Sequence, residues 1–422
     1  MATPLLRDTA HASPEHEAWL EEVGRALLEW GAASRTEHGF GWLDSNGKLD
    51  ASHDLELWIN CRMTHCFALA SIRGTESSHD FAELAAHGLK ALAGSFGDES
   101  HGGFFSIISR ANGTPVDDSK QAYAHAFVVL AASSLVEAKI PGAEDLLKVA
   151  LEAHAQFFEP EHEMFADTYS RDFSECENYR GINANMHSVE GLLAASAATG
   201  HLDLFERAAA IAERALTFAK GNGWFLPEHF TSEWEPRPSY NREEPAHPFR
   251  PYGATIGHSF EWARLALHIA AGFEGQFSDA TRATERASVL RDGALALAEK
   301  ACETWGIDGG GGFPYTVDWD GSPIVHERMH WVIAEAIGTA AVLFYSSGDA
   351  AWEQRYEAWW NWAKSTTIVP GNLGSWIHEL SASGELSETT WKGQPDIYHA
   401  YQVTLIPRLP AWPPLAHAVA MA

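Results

Sequence analysis

The sequence predicts an all-α ring of six helix hairpins, an (α/α)6 barrel with short β-hairpins at the mouth of a central cavity. Three observations predict it. Helical segments with a 3.6-residue apolar period alternate along the chain, some amphipathic and some apolar all round except for isolated polar residues. Six aromatic turns, several of them with glycine, starting at 38, 101, 163, 223, 311 and 374, punctuate them at near-regular intervals. No linker or charge run divides the 422 residues, so positions 1–422 read as one catalytic domain.

Each element follows from its residues. The turns HGFGWLDSNGK, HGGFFSIISRANGTP, EMFADTYS, GWFLPEHF, GGFPYTVDWDGSP and GSWIHELSASGE pair an aromatic strand with Gly, Asn, Asp or Ser, a short hairpin signal. The interval from 223 to 311 is the long one, and its surplus is a Pro-rich loop, EWEPRPSYNREEPAHPFRPYG (233–253). Segments such as EHEAWLEEVGRALLEW, DFAELAAHGLKALAGSF and LDLFERAAAIAERALTFA carry one apolar face and read as outer helices. The segments after the turns read as inner helices, with Asp118 or Ser119 and Thr255 as candidate caps. A repeated helix pair cannot bury its apolar face alone. Closing six pairs into a ring covers every face, and a linear solenoid is the competing layout.

Composition narrows the function. With 29 basic against 57 acidic residues the formal charge is −28, which argues against nucleic acid or an anionic membrane as partner. The N-terminus lacks the pattern of a signal peptide, and no run of 18 apolar residues occurs. Four cysteines without a CxxC pair read as reduced thiols of a cytoplasmic protein. The 17 tryptophans suit core packing, and equally the stacking of aromatic rings on sugar C–H faces. Oligomeric state is not encoded in any of these features.

Polar residues interrupt the inner-helix pattern in five clusters. Trp58 and Arg62 lie four apart in LELWINCRMTH; Gln121 and His125 do so in DDSKQAYAHAF. Asn183, Asn185, His187 and Glu190 crowd NYRGINANMHSVEGLL. His258 and Glu261 share a face in TIGHSFEWARLALH, and KGQPDIYHAYQ brings Asp396, Tyr398 and His399. Structural readings compete at each: an ion pair for Arg62, helix-end capping for Gln121 and His125. No HExxH, acidic Ca²⁺ loop, GxSxG elbow or Lys-containing phosphate loop is present, so no metal or other cofactor is expected. His and Glu in an aromatic, hydroxyl-binding cavity fit proton transfer on a monosaccharide. A glycosidase would need two flanking acids, and the pair on offer, Glu190 and Glu261, each sit beside a His.

GFGWL (39–43), LWINCRM (57–63), DSKQAYAHAF (118–127), YRGINANMHSVE (179–190), PSYNREEPAHPFRPYG (238–253), GHSFEWARL (257–265), YTVDWDG (315–321) and QPDIYH (394–399) occur in this order. Together they resemble the N-acylglucosamine 2-epimerase superfamily, and more closely its bacterial aldose–ketose isomerase branch. The resemblance implies the (α/α)6 fold and isomerisation without a metal. It implies His258 and His399 as acid–base groups, with Arg62, His187 and Glu261 against the sugar. Asn183, Gln121, Trp58, Arg250, Trp319 and Asp396 would be further contacts. Glu261 is expected to hold the His258 ring, and Arg62 to meet the enediolate oxygen. Within the branch the choice lies between a neutral aldose and a sulfonated one. His378 and Pro395 stand where sulfosugar members carry Gln, with Gln394 one place away, which favours mannose–fructose interconversion over sulfoquinovose; 2-epimerisation is the other alternative.

Overall fold

The computed structural model describes residues 13–276 and 280–422. The reading of the extreme N-terminus as free of a signal peptide falls largely on residues 1–12, outside the described residues. Thirteen α-helices occur among the described residues. They are α1 (Pro14–Ala32), α2 (Leu57–Arg73), α3 (Phe81–Ala93), α4 (Ala122–Glu137), α5 (Ala143–His154), α6 (Ile182–Thr199) and α7 (Leu202–Gly221), then α8 (Ile256–Gln276), α9 (Ala280–Cys302), α10 (His330–Ser347), α11 (Ala350–Thr366), α12 (Tyr398–Leu405) and α13 (Leu415–Met421). None is long and apolar enough to cross a membrane.

The even-numbered helices α2 to α12 form the inner wall. In α2 every residue from Leu57 to Ala70 is buried, which an all-round apolar helix requires. Outer helices bury one stripe: α3 buries Phe81, Leu84, Ala85, Gly88, Ala91 and Leu92, half-buries Ala86, His87 and Leu89, and exposes the rest. Helices α3, α5, α7, α9 and α11 each back the inner helix that precedes them. The sixth pair departs from the simple repeat. Short α12 has no outer helix after it; α1 takes that place, so the chain ends lock the ring. Helix α13 packs across α2, α4 and α6 and covers the end of the barrel away from the hairpins.

Hairpins form at the expected turns, for example Ile107–Ile108 against Pro115–Asp117 and Phe158–Glu159 against Met164–Phe165. The structure adds pairing between units. The two residues entering each inner helix pair antiparallel with the next unit's turn: Leu55 with Ile108, Lys120 with Tyr169, Arg180 with Phe230, Ala254 with Val317, Arg328 with Leu380. At the sixth junction the Gln394 amide donates to the Leu43 carbonyl.

This pairing replaces the expected side-chain caps. The first helical N–H of α2, α4, α6, α8 and α10 donates to the carbonyl of Ser106, Asp167, Glu228, Tyr315 and His378 respectively. Neither Asp118 nor Ser119 caps α4, whose N-cap is Gln121 without a side-chain bond. The Thr255 hydroxyl has no hydrogen-bond partner either. Three outer helices, lacking a paired strand, use the ordinary device: Ser13, Asp80 and Asp349 accept backbone N–H bonds at α1, α3 and α11.

Candidate active site

Because a strand fixes where α2, α4, α6, α8 and α10 begin, equivalent residues face the axis in successive layers. The second residues are Trp58, Tyr123, Asn183, Gly257, Trp331 and His399; the sixth residues of α2 to α10 are Arg62, Phe127, His187, Glu261 and Glu335. Positions two, six and nine lie on one helical face, and position nine adds Glu190 from α6 and Arg264 from α8. Together they enclose a cavity of about 70 Å³ whose wall includes Trp58, Arg62, Tyr123, Asn183, His187, His258, Glu261, Asp396 and His399.

Two histidines in this wall are held alike. Nδ1 of His399 lies 2.8 Å from Oε1 of Glu335, and Nδ1 of His258 lies 2.9 Å from Oε2 of Glu228. A carboxylate can only accept, so Nδ1 carries a proton in both. Burial drives the His399 imidazole well below its ordinary pKa, with the Arg62 charge adding to the effect, so it is neutral at pH 7. The Trp331 ring lies between the two, 5.3 Å from the His258 ring and 5.6 Å from the His399 ring by centroids. Gly257 makes room for it: a Cβ there would stand 2.1 Å from a Trp331 ring atom.

Arg62 is the cation of the cavity. Its guanidinium donates to Asp396 (3.2 Å) and to the Tyr123 hydroxyl (3.0 Å), and lies 4.6–4.9 Å from the rings of Trp58, Phe127 and Tyr398. Asp396 also accepts the Tyr398 amide at the start of α12. Beneath lie three carboxyls and Arg264. Glu335 receives the Arg264 Nε at 2.9 Å, and Glu190 receives the Tyr398 hydroxyl and the Gln402 amide. Neither Glu261 oxygen has a hydrogen-bond partner. Burial and the neighbouring Glu335 charge push the Glu261 carboxyl well above its ordinary range, against the pull of Arg264 3.6 Å away. His187 sits 3.3 Å from Glu190 and 3.9 Å from Glu261, its pKa lowered to about 4 by burial. The donor sets His187–Glu190–Glu261 and Glu261–Glu335–His399 are compact enough to surround a cation, although most of these atoms already have protein partners.

The sequence expectations divide. His258, His399, Glu261, Arg62, His187, Asn183, Trp58 and Asp396 share the cavity. Glu261 does not hold His258; Glu228 does. His258 is the third residue of α8, off the axial stripe that carries Glu261, and its Nδ1 meets Glu228. Gln121 and Arg250 line a neighbouring chamber instead. Arg250 is bonded to Glu177 and Asp167 and is not free to meet a ligand in the main cavity. Trp319 faces neither space; its indole N–H donates to Pro238 O and ties its hairpin to the long loop. His125 and Asn185 are structural, each the fourth residue of its helix: His125 accepts the Phe104 amide, and Asn185 bonds Phe165 through both N–H and carbonyl.

Glu228, Glu335, Trp331, Tyr123 and His330 escape the sequence reading. Glu335 carries a usable signal, a lone acid inside HWVIAEAIGTAAVLF on the one inner helix without a polar cluster. Glu228 carries none, being 30 residues from its partner.

The class follows from this ring and site. Residues 39–403 match the N-acylglucosamine 2-epimerase (GlcNAc 2-epimerase) family, and the chain belongs to it. It is similar to the D-mannose isomerase of Thermobifida fusca, 43% identical over 98% of each chain. It is also similar to that of Pseudomonas cannabina pv. alisalensis, 42% identical over 97% of this chain and 96% of the other. Among solved structures, a D-mannose isomerase superposes with a TM-score of 0.81 at 25% identity, covering 94% of this chain and 99% of that one.

Proposed function

We propose that this chain, acting as one catalytic domain, interconverts D-mannose and D-fructose by proton transfer through a cis-enediol(ate). The single observation that carries the reading is the pair of glutamate-held histidines flanking Trp331 in one cavity. Near-full-length likeness to D-mannose isomerases supports the sugar. His258 assists opening of the pyranose ring. Nε2 of neutral His399 takes the C2 proton of the open aldose, exchanges it with solvent, and delivers a proton to C1. An imidazole held neutral by burial suits this, because it can both accept and release the proton. Arg62 faces the developing enediolate oxygen with a fixed positive charge, and the Glu261 carboxyl, whose pKa burial raises, relays the O2 proton to O1 as the carbonyl moves.

A neutral aldose suits the cavity better than a sulfonated one. Arg62 is already balanced by Asp396, and Arg250 by Glu177 and Asp167 in the adjoining chamber. An added anion would meet no unpaired cation among the described lining residues. The four cysteines are free thiols, including exposed Cys176, which fits a reducing cytoplasm.

Incubation with mannose in D₂O, followed by NMR, tests the reading. The expected result is fructose with solvent deuterium at C1, and a fall of about a thousandfold in turnover for His399→Ala with KM little changed. Label confined to C2 of an aldose would instead mean 2-epimerisation.

A further inference from the structure

A second chamber of about 230 Å³ adjoins the catalytic cavity of about 70 Å³. Its other lining is mostly hydrogen-bonding: Glu56, Ser106, Gln121, Asp167 and Thr168 face it. The isomerisation described above uses none of these five. Trp58, Tyr123, Asn183 and Phe249 line both spaces and so form the wall between them. Three of these four belong to the rigid first turns of α2, α4 and α6. Phe249 alone comes from the long 233–253 loop.

The Phe249 side chain enters the wall only through ring contacts. Its ring meets Trp58, Tyr123 and Trp391 edge to face, at 6.0, 5.9 and 5.1 Å. The loop backbone is fixed by other groups. Arg250 is clamped to Glu177 at 2.6 and 2.8 Å, Asn241 donates to the Arg250 carbonyl at 2.6 Å, and His247 accepts the Phe249 amide at 3.2 Å. The ring, 39% exposed, is therefore a plug on an independently anchored loop. Asn183 Oδ1, buried in the same wall, has no hydrogen-bond partner.

We infer that Phe249 is the partition that confines catalysis to monosaccharides, and that the chamber behind it has the chemistry to hold a second, neutral hexose unit. Carboxyl, amide and hydroxyl groups are what a sugar's hydroxyls need, and the chamber's one guanidinium is already doubly paired. The inference rests on the aldose–ketose reading. That reaction turns O2 of the aldose into a carbonyl, so a second unit must be carried on O3, O4 or O6.

The test uses the full chain and Phe249→Ala with mannose and with mannobioses linked 1→3, 1→4 and 1→6. Folding is checked by circular dichroism, and binding of each mannobiose by calorimetry. The parent should turn over mannose and reject all three disaccharides. Phe249→Ala should bind at least one mannobiose and raise kcat/KM for it at least about tenfold, with a higher KM for mannose. Adding Ile107→Trp, which fills the chamber from its rim, should cancel that gain. The inference is overturned by a parent that already accepts a mannobiose. A folded Phe249→Ala that neither binds nor converts one, or a gain that survives Ile107→Trp, overturns it equally. A parent inactive on mannose would sink the isomerase reading, not the partition.

Discussion

An imidazole works as a base in one direction only if its tautomer is fixed, and here two buried carboxylates fix two imidazoles. Glu228 and Glu335 act through His258 and His399 and are positioning residues. Replacing either by Gln puts an amide opposite Nδ1, whose N–H₂ can donate and so favours the wrong tautomer. For Glu228→Gln we expect kcat to fall at least about tenfold, with KM within about threefold and a shifted kcat–pH profile. A merely structural role would lower thermal stability and leave the pH profile in place. The sequence shows His258 and Glu261 three apart and suggests a pair; the neighbour that satisfies His258 comes from a turn 30 residues away.

At the scale of elements, the inner helices α2 to α10 owe their common phase to strand pairing at their starts. The fourth residue of each of the first three inner helices, Asn60, His125 or Asn185, then pins a hairpin aromatic to the helix. In α6, Asn185 accepts the Phe165 amide and donates to the carbonyls of Phe165 and Gly181. Asn185→Ala strands buried backbone groups and should cost about 2–4 kcal/mol, read as a lower urea midpoint with KM for the sugar nearly unchanged. The polar residues of an inner helix thus fall into two kinds. Position explains most of them: the second, sixth and ninth residues face the cavity and the fourth faces a hairpin, while His258 and His330, third and first in their helices, reach the cavity from its rim. Periodicity alone assigns both kinds to interruptions of an apolar helix, so His125 and Asn185 resemble ligands until the strand pairing is known.

Across the whole molecule, burial leaves many histidines neutral. Desolvation lowers His65, His187 and His330 to about 4 and His125, His154 and His268 to about 3. Their folded values lie below the unfolded value near 6.5, so between them the unfolded chain binds more protons, and stability falls as pH falls. Each such group contributes about 1.4 kcal/mol per pH unit once below that value. Glu56, Asp167, Glu261 and Glu335, raised by burial, act with the opposite sign but are fewer. The melting temperature should therefore drop from pH 7 to pH 5. A melting temperature that held or rose over that range would mean these histidines are protonated in the fold.

By itself the sequence determined the ring of six helix pairs, the inner and outer roles of the helices, and the main residues of the cavity. These are written in local periods: apolar spacing, repeated turns, and polar residues at helix starts. Only the tertiary structure decided that α1 closes the ring on α12, that Glu228 rather than Glu261 orients His258, and that Arg250 and Trp319 lie outside the cavity. Each of those is a contact between residues distant along the chain. Such contacts depend on how units are phased against one another, and short strands that pair across units set that phase.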